Sequence, residues 1–194
     1  MWVFKKLAMC SIACICFSTS AIADEAVIKL YPDNPVNGKT NPVSVSFSGS
    51  IYKDKPLLNF KSPNNSKLSI AELALIKFIE VNSKGTPEQV LDMWNPPERG
   101  SIKEILSKGD IFTRNKALYS SIVESRFVAR VNYGSFVLFY VEQKRLPSDY
   151  KVKMYPFIEK DGQYFASNML TSDFFYSRIA SDLEQYFVKN RIEK

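Results

Sequence analysis

Residues 126–168 read RFVARVNYGSFVLFYVEQKRLPSDYKVKMYPFIEKDGQYFASN and contain several short runs of alternating side-chain character. Asp161-Gly162 lies between two of these runs, and this dipeptide supplies the positive φ angles that a tight hairpin turn requires. A two-residue turn sets the register of three pairs: Lys160 with Gln163, Glu159 with Tyr164, and Ile158 with Phe165. The sequence therefore predicts an antiparallel meander that ends in a hairpin.

That register places the hairpin side chains on two faces of a sheet, because neighbouring residues of a strand point to opposite sides. One face receives Met154, Ile158 and Phe165, and the other receives Tyr155, Phe157, Tyr164 and Asn168. Neither face is fully polar. Two arrangements stay open: a sheet packed on both faces, or a core below the sheet and a pocket above it. Pro156 in the first arm indicates a sheet edge or a bulge.

Two strands are predicted before the hairpin, separated by Gly134. Residues 136–141 are apolar on both faces, which is typical of a central strand. In the preceding strand, Arg126 and Arg130 occupy one face. The opposite face is predicted to carry a row of apolar and aromatic residues: Val123, Phe127, Ala129, Val131 and Tyr133.

Helix signals begin upstream of these strands. The first helix is predicted to start at a capping box, Ser69-Ile-Ala-Glu72, and to end near Ser83. Gly85 is expected to close it in a left-handed conformation. Thr86-Pro87 starts a second helix, with proline at the first helical position, and this helix ends by Asn95 because two prolines follow.

Two shorter helices are predicted over residues 101–107 and 110–119. The first of them carries a second capping-box pattern, Ser101 with Glu104, and is followed by Gly109. Ser172 or Asp173 is expected to begin a carboxy-terminal helix that ends near Arg191. Its apolar stripe recurs every four residues: Phe175, Ile179, Leu183 and Phe187.

The amino-terminal part of the chain carries strand signals. Residues 26–31 form a strand candidate, and residues 43–51 alternate apolar residues with serines, as a half-buried strand does. Gly49 lies within this alternation and indicates a bulge or a bend. The predicted organisation after the first 23 residues is an extended segment with strands at 24–65 and an α+β domain at 66–194.

The chain begins with the pattern of an export signal. Lys5 and Lys6 precede an apolar run at residues 7–17, and Ala21-Ile22-Ala23 is a typical cleavage site. The run is much shorter than the roughly 20 apolar residues of a membrane-spanning helix, so no stable membrane anchor is predicted. Cleavage after Ala23 yields a periplasmic or secreted protein that starts at Asp24.

All three cysteines, Cys10, Cys14 and Cys16, lie within this signal, so the mature chain is predicted to lack thiol and disulfide chemistry. The full chain has a net charge of +6, and Lys5 and Lys6 leave with the signal. The remaining basic balance is spread along the chain without a run of Lys and Arg. This distribution indicates solubility and argues against nucleic-acid binding.

The chain contains no histidine, so the most common base at neutral pH and the most common metal ligand are both missing. Acidic residues in the predicted sheet fall singly, at Glu124, Glu142 and Glu159, and no Gly-rich phosphate loop occurs. The sequence therefore predicts no catalytic residue, no metal site and no cofactor.

The capped helix from Ser69, the short helices through Trp94, the Tyr133-Gly134 pair and the FIEKDGQYFASN segment resemble the nuclear transport factor 2-like (NTF2-like, SnoaL-like) superfamily. The resemblance covers residues 69–170 and implies helices followed by a curved antiparallel sheet, a cone around a pocket. Members use the pocket for catalysis or for binding, and none of their polar catalytic residues has a matching position here. The extended segment before the helices and the helix after the last strand depart from this pattern, and both would fill or cover the cone.

The segment MWNPPER, Met93 to Arg99, is the first candidate binding element. It combines Trp94 and Arg99 with two consecutive prolines. One interpretation is a rigid loop that contacts a partner, and the other is a core tryptophan anchored where a helix ends.

Two further candidate elements lie on the predicted sheet. Arg126 and Arg130 line an anion-binding surface, or they pair across strands with Glu142 or Glu159. The second set consists of tyrosines that orient a ligand with their hydroxyls, or that pack in the sheet with only the tip in water: Tyr133, Tyr140, Tyr155 and Tyr164.

These observations predict an exported, soluble, non-catalytic binding protein of the cell envelope, which engages a protein partner or a small ligand through an NTF2-like α+β scaffold. Two alternatives stay open: a hydrolase or isomerase that uses carboxylates and tyrosines in the cone, and a periplasmic immunity or inhibitor protein. A homodimer is compatible with the same sequence.

The predicted export signal at residues 1–23 can be tested directly. Expression of the full chain in a bacterial host should give a periplasmic or secreted product whose first residue is Asp24, because a signal peptidase cleaves after small residues. Mass spectrometry of the fractionated protein measures this terminus. Replacement of Ala23 by a bulky residue should retain the precursor, whereas a cytoplasmic wild-type product starting at Met1 would contradict the assignment.

Overall fold

The computed structural model describes residues 26–30, 43–52, 57–58, 68–145 and 149–173. The strands in this part of the chain are β1 (Ala26–Leu30), β2 (Val43–Ile51), β3 (Ile122–Tyr133), β4 (Phe136–Arg145), β5 (Asp149–Lys160) and β6 (Gln163–Ala166). The helices are α1 (Ile70–Lys84), α2 (Pro87–Asp92), α3 (Arg99–Ser107) and α4 (Ile111–Ser120), with 3-10 helices at Pro96–Glu98 and Met169–Ser172. The predicted α+β fold class is confirmed.

Two predictions fall outside the described residues and stay predictions. They are the export signal at residues 1–23 and the carboxy-terminal helix with its stripe at Phe175, Ile179, Leu183 and Phe187. Among the residues that are described, no helix combines the length and the apolar character needed to cross a bilayer.

The six described strands form one antiparallel sheet in the order β1-β2-β3-β4-β5-β6. Helices α1–α4 are inserted between β2 and β3, which are neighbours in the sheet. β4 pairs with β3 and β5 and is buried from Val137 to Gln143, so its predicted central position is confirmed. Leu58 prolongs the contact of the amino-terminal segment with β3 by donating its N–H to the Ser125 carbonyl oxygen at 2.8 Å.

The hairpin has the predicted turn and register. Asp161 and Gly162 have φ angles of 52° and 74°, and Lys160, Glu159 and Ile158 pair as expected with residues of β6. Pro156 lies just beyond the β5–β6 ladder, and its carbonyl accepts the Ser167 N–H at 3.1 Å. Since N–H and C=O groups of one residue point to the same side in an antiparallel strand, the missing amide of Pro156 faces away from β4. The prediction of an edge or a bulge is wrong, because β5 lies between β4 and β6 and its register with β4 is regular at Pro156. Proline is tolerated there because its nitrogen faces the side on which the β5–β6 ladder has already ended.

A β-bulge in β3 overturns the predicted faces of that strand. Phe127 pairs with Val141 and Ala129 pairs with Tyr140, which leaves Val128 as an extra residue between them. The extra residue reverses the alternation, so Phe127 and Ala129 lie on opposite faces of the sheet. Residues 127–129 are all apolar, and the sequence pattern therefore contains no sign of the bulge.

Both faces of the sheet are packed. On the face towards the helices, called the helical face below, Leu75, Phe78 and Ile79 of α1 pack against three phenylalanines of the sheet: Phe127, Phe139 and Phe157. The opposite face, the far face, carries Val131, Leu138, Tyr140 and Val152 together with Leu170. Leu138 and Tyr140 are both 0% exposed. Tyr155, Phe157 and Tyr164 lie on the helical face and Met154 on the far face, as the turn register predicts.

α1 begins at the predicted capping box, in which Ser69 and Glu72 satisfy each other's backbone amides. The Glu72 carboxylate also accepts a hydrogen bond from the Tyr52 hydroxyl, which ties the helix start to the end of β2. The left-handed conformation expected at Gly85 is wrong, because its φ and ψ are −71° and 177°. Glycine is required there by space, since a Cβ would lie 2.6 Å from the Val81 carbonyl oxygen.

The next helices follow the predicted order with one correction. α2 begins with Pro87 after a capping box of Thr86 and Gln89. The Ser101–Glu104 box is wrong: α3 begins at Arg99, directly after the 3-10 helix, and no side chain caps its start. Ser101 lies inside the first turn and donates its hydroxyl to the Glu98 carbonyl at 2.8 Å. Gly109 has the expected positive φ, 56°.

Gly49 is explained by close approach of two backbones. The β2–β3 register is regular from Ser48 to Ile51, so the predicted bulge is absent from this pairing. A Cβ on Gly49 would overlap the carbonyl oxygen of Arg130. The glycine therefore lets β2 approach β3.

Gly49→Ala should lower the free energy of unfolding by about 1–3 kcal/mol, because the methyl group forces the two strands apart. Gly100→Ala is the matched control, since a Cβ on Gly100 meets nothing within 4 Å and the residue lies in α3. That control should leave stability unchanged or raise it by up to about 1 kcal/mol. Urea unfolding measures both, and equal effects would contradict the close-approach explanation.

Candidate functional site

A cavity of about 330 Å³ lies between the helices and the helical face of the sheet. Its walls are largely aromatic: Phe78 from α1, Trp94 after α2, Tyr119 from α4, and Tyr155 and Phe157 from β5. Polar residues complete the lining: Asn115, Arg145, Lys153, Ser167 and Asn168. We call it the Tyr155 cavity.

Phe78 holds the aromatic wall together. Its ring stands edge-on to the rings of Trp94, Tyr119, Tyr155 and Phe157, with centroids 5.8 to 6.1 Å apart. Edge-to-face geometry is favourable because the electron-poor edge of one ring meets the electron-rich face of another. The cavity wall is therefore fixed by packing before any ligand arrives.

Tyrosine, glutamine and arginine side chains meet at one end of the cavity. The Gln143 side-chain amide donates to the Tyr155 hydroxyl oxygen at 2.8 Å, and its carbonyl oxygen accepts from Arg145 Nη2 at 3.4 Å. The Tyr119 and Tyr155 side chains lie close enough for each to shift the other's pKa. Two residues of β4, one of β5 and one of α4 therefore meet here.

Burial raises the pKa of both cavity tyrosines. For Tyr119, burial acts together with the neighbouring Tyr155 hydroxyl. For Tyr155, burial outweighs the opposing effects of the hydrogen bonds from Gln143 and Tyr119. The positive charge of Arg145 opposes the rise in both pKa values, which places the guanidinium within electrostatic reach of both hydroxyls. Both phenols are protonated at neutral pH and act as hydrogen-bond donors and acceptors.

Glu98 fixes the rim of the cavity next to Trp94. One carboxylate oxygen accepts from Asn95 Nδ2 at 2.9 Å and from the Ser167 hydroxyl at 2.6 Å, and the other accepts from the Asn168 N–H at 2.7 Å. These bonds connect the segment before α3 to the segment after β6. Ser167 and Asn168, which line the cavity, are thus held by a carboxylate that lies 69 and 70 residues earlier in the chain.

The structure places MWNPPER against the sheet, in agreement with the anchored-tryptophan interpretation. Met93 and Asn95 exchange backbone hydrogen bonds with Ala166, both at 2.9 Å, so this segment covers the outer edge of β6. Arg99 binds the segment internally, donating to the carbonyls of Trp94 at 3.1 Å and Asp92 at 3.0 Å. Trp94 faces the cavity, whereas Arg99 stabilises the loop.

The anion-binding surface predicted for Arg126 and Arg130 does not form. The bulge at Val128 lies between them and turns the two side chains to opposite faces of the sheet. Arg126 faces its register partner Glu142, as the pairing alternative predicts, and its side chain binds Glu124 at 2.6 Å. Arg130 lies on the helical face, opposite Phe139, and is not part of the cavity lining.

The predicted tyrosines are also separated. Tyr155 lines the cavity, but Tyr140 is completely buried in the far-face core. Tyr133 lies beside the same core and donates its hydroxyl to Asp173 at 3.5 Å. Tyr164 donates to Glu159 at 3.1 Å near the turn. Of the eight candidate residues, the structure brings Trp94 and Tyr155 together.

Sequence reasoning missed Tyr119, Gln143, Arg145 and Glu98. A partial signal existed for two of them, because Gln143 and Arg145 are polar residues two positions apart on a strand whose first six residues are apolar. Tyr119 had none, since a tyrosine near the end of a predicted helix is common. Their convergence depends on how α4, packed on α1, places Tyr119 in the same cavity as Tyr155.

A second cavity of about 410 Å³ lies on the other side of Tyr119 and is lined partly by Leu57, Ile79 and Val123. Its acidic residues, Glu80 and Glu124, fall singly. Within the described residues, no group of three or more Cys, Asp and Glu side chains is arranged to hold a metal ion. Polar side chains line both cavities, and the Tyr155 cavity adds a buried tyrosine hydroxyl that is linked through Gln143 to an arginine.

Comparisons with protein-family models, with curated proteins and with solved structures found no significant match to this chain. The site is therefore interpreted from its own geometry and chemistry.

The raised pKa values predict a loss of stability in alkali. A phenol whose pKa is higher in the folded state contributes stability that is present below its unfolded pKa, about 10, and is lost as the pH rises through the folded value. Tyr155→Phe removes one such group. The wild type should lose more unfolding free energy than Tyr155→Phe between about pH 9 and about pH 11, measured by urea unfolding. Equal losses would contradict the role of burial at Tyr155.

Proposed function

We propose that this chain is an exported binding protein of the cell envelope and that the Tyr155 cavity holds its small ligand. The observation that carries this proposal is a preformed aromatic cavity with polar groups converging at one end, the composition typical of small-molecule sites. Its volume of about 330 Å³ falls at the lower end of the usual range for such sites, about 300 to 1,000 Å³. The export signal predicted at residues 1–23 supports the location.

An NTF2-like scaffold is part of the same proposal. It is supported by the order of elements, with helices before an antiparallel meander, and by a cavity between the two layers. β1 and β2 extend the sheet beside β3, and none of their described side chains is among the residues that line the cavity. The extended amino-terminal segment, which departs from the NTF2-like pattern, is thus compatible with an accessible site.

The catalytic alternative lacks a supporting observation. None of the described residues that line the Tyr155 cavity is an aspartate or a glutamate, so the carboxylate that a hydrolase of this kind requires is missing from the lining. The raised pKa of Tyr119 and Tyr155 disfavours the phenolate that a nucleophile or base would need. Binding is the function that these groups support best.

Tryptophan fluorescence tests the proposal directly. Trp2 leaves with the signal, so Trp94 is the only tryptophan of the exported chain and reports on the cavity. In a screen of small aromatic carboxylates, phosphates, amides and alcohols, at least one compound should change Trp94 emission with saturable binding.

Ala166→Leu serves as the cavity-filling variant, because Ala166 lines the cavity from β6. It should weaken that binding by about tenfold or more, with circular dichroism confirming the fold. Tyr155→Phe, which keeps the ring and removes the hydroxyl, is a milder second variant. Absence of any saturable response, or binding that is unchanged in Ala166→Leu, would contradict the proposal.

A further inference from the structure

The Arg145 guanidinium is largely unsatisfied in the described part of the chain. It carries five N–H donors, and its one hydrogen bond there is the long contact from Nη2 to Gln143 at 3.4 Å. Its Nε is buried without a partner. Buried donors are nearly always paired in proteins, so an unpaired one at a cavity requires an explanation. Arg130 also has an unpaired Nε, but it lies outside the cavity.

The hydroxyl pair beside Arg145 has a donor to spare. Tyr119 and Tyr155 carry two hydroxyl hydrogens, and a hydrogen bond between the two neighbouring hydroxyls would use only one of them. Gln143 donates its own side-chain hydrogen to the Tyr155 oxygen, so this bond uses neither of the two phenolic hydrogens. One phenolic hydrogen therefore lacks an acceptor among the described residues and is available to a ligand.

The charge of the lining has a single sign. Arg145 and Lys153 are its two charged residues in the described part of the chain, and both are cations. Lys153 projects from the same face of β5 as Tyr155, two residues away. Guanidinium and phenol donors thus meet at one end of a largely aromatic cavity, and the exposed Lys153 adds a second positive charge to its lining.

We propose that the ligand of the Tyr155 cavity is a small organic anion, with its carboxylate or phosphate group bound by Arg145 and a flat apolar body packed against Phe78 and Trp94. Arginine presents paired donors that match the oxygens of either group, and a phenol hydroxyl completes the set. The aromatic walls select a planar body of modest size. This inference rests on the proposed function and specifies the chemistry of its ligand.

The test uses three matched probes on the exported chain at neutral pH: phenylacetate, phenyl phosphate and the neutral phenylacetamide. Titration followed by Trp94 fluorescence should show at least one anion binding about tenfold or more tightly than the amide. The stronger of the two anions identifies the headgroup. Arg145→Gln should abolish this preference while leaving the affinity for phenylacetamide unchanged, a split that a merely structural role would not produce.

Arg130→Gln is the control, since it removes an equal charge from the same face of the sheet outside the cavity, and it should leave all three affinities unchanged. Asp149 is the register partner of Arg145, and Asp149→Asn should retain or increase the anion preference. Equal affinities for anion and amide in the wild type, or a preference that survives in Arg145→Gln, would overturn the anion inference while cavity binding stands. Failure of all three probes and of the wider screen would overturn the proposed function itself.

Discussion

The edge-on contacts of Phe78 are the interaction on which the architecture depends. A single ring from α1 meets aromatic rings from the segment after α2, from α4 and from β5. Burying an aromatic side chain of this size stabilises a protein by roughly 1.5–3 kcal/mol, and paired rings add to this. Because Trp94 belongs to a segment that is hydrogen-bonded to Ala166, Phe78 also fixes the helices relative to the edge of the sheet.

The cavity lies beside this aromatic cluster. It is bounded on the sheet side by Tyr155 and Phe157, and Phe78 and Trp94 line it on the side of the helices. The Glu98 carboxylate, satisfied by three donors from two segments, holds the rim in place. A rigid rim and a rigid wall reduce the ordering that a ligand has to impose, which favours binding.

The chemistry of the site follows from burial combined with a cation. Burial keeps Tyr119 and Tyr155 protonated, and Arg145 lies close enough to oppose that effect. Protonated phenols beside a guanidinium form a cluster dominated by donors, suited to holding a negatively charged group and poorly suited to removing a proton. The residues of this cluster therefore come from β4, β5 and α4 together, although neither Arg145 nor Tyr119 stands out in the sequence.

The sequence by itself determined the features that depend on neighbouring residues. The φ angles at Asp161 and Gly162, the capping box at Ser69 and the proline at the start of α2 are set by local sterics and local hydrogen bonds, so each was predicted at the right position. The apolar residues on both faces of β4 likewise identified it as the central strand. Trp94 and Tyr155 were among the residues singled out, but so were six others that do not line the cavity.

Tertiary structure alone decided the features that depend on which elements touch. Val128 forms a bulge because of how β3 pairs with β4, and this one extra residue separates Arg126 from Arg130. Glycine is required at positions 49 and 85 because a carbonyl oxygen lies too close for a Cβ, that of Arg130 at Gly49 and that of Val81 at Gly85. No residue pattern in the sequence encodes this lack of space. The meeting of Tyr119, Tyr155 and Arg145 depends on the packing of α4 against α1, which places Tyr119 in the cavity that β4 and β5 also line. Local chemistry specified the elements, and long-range packing made the site.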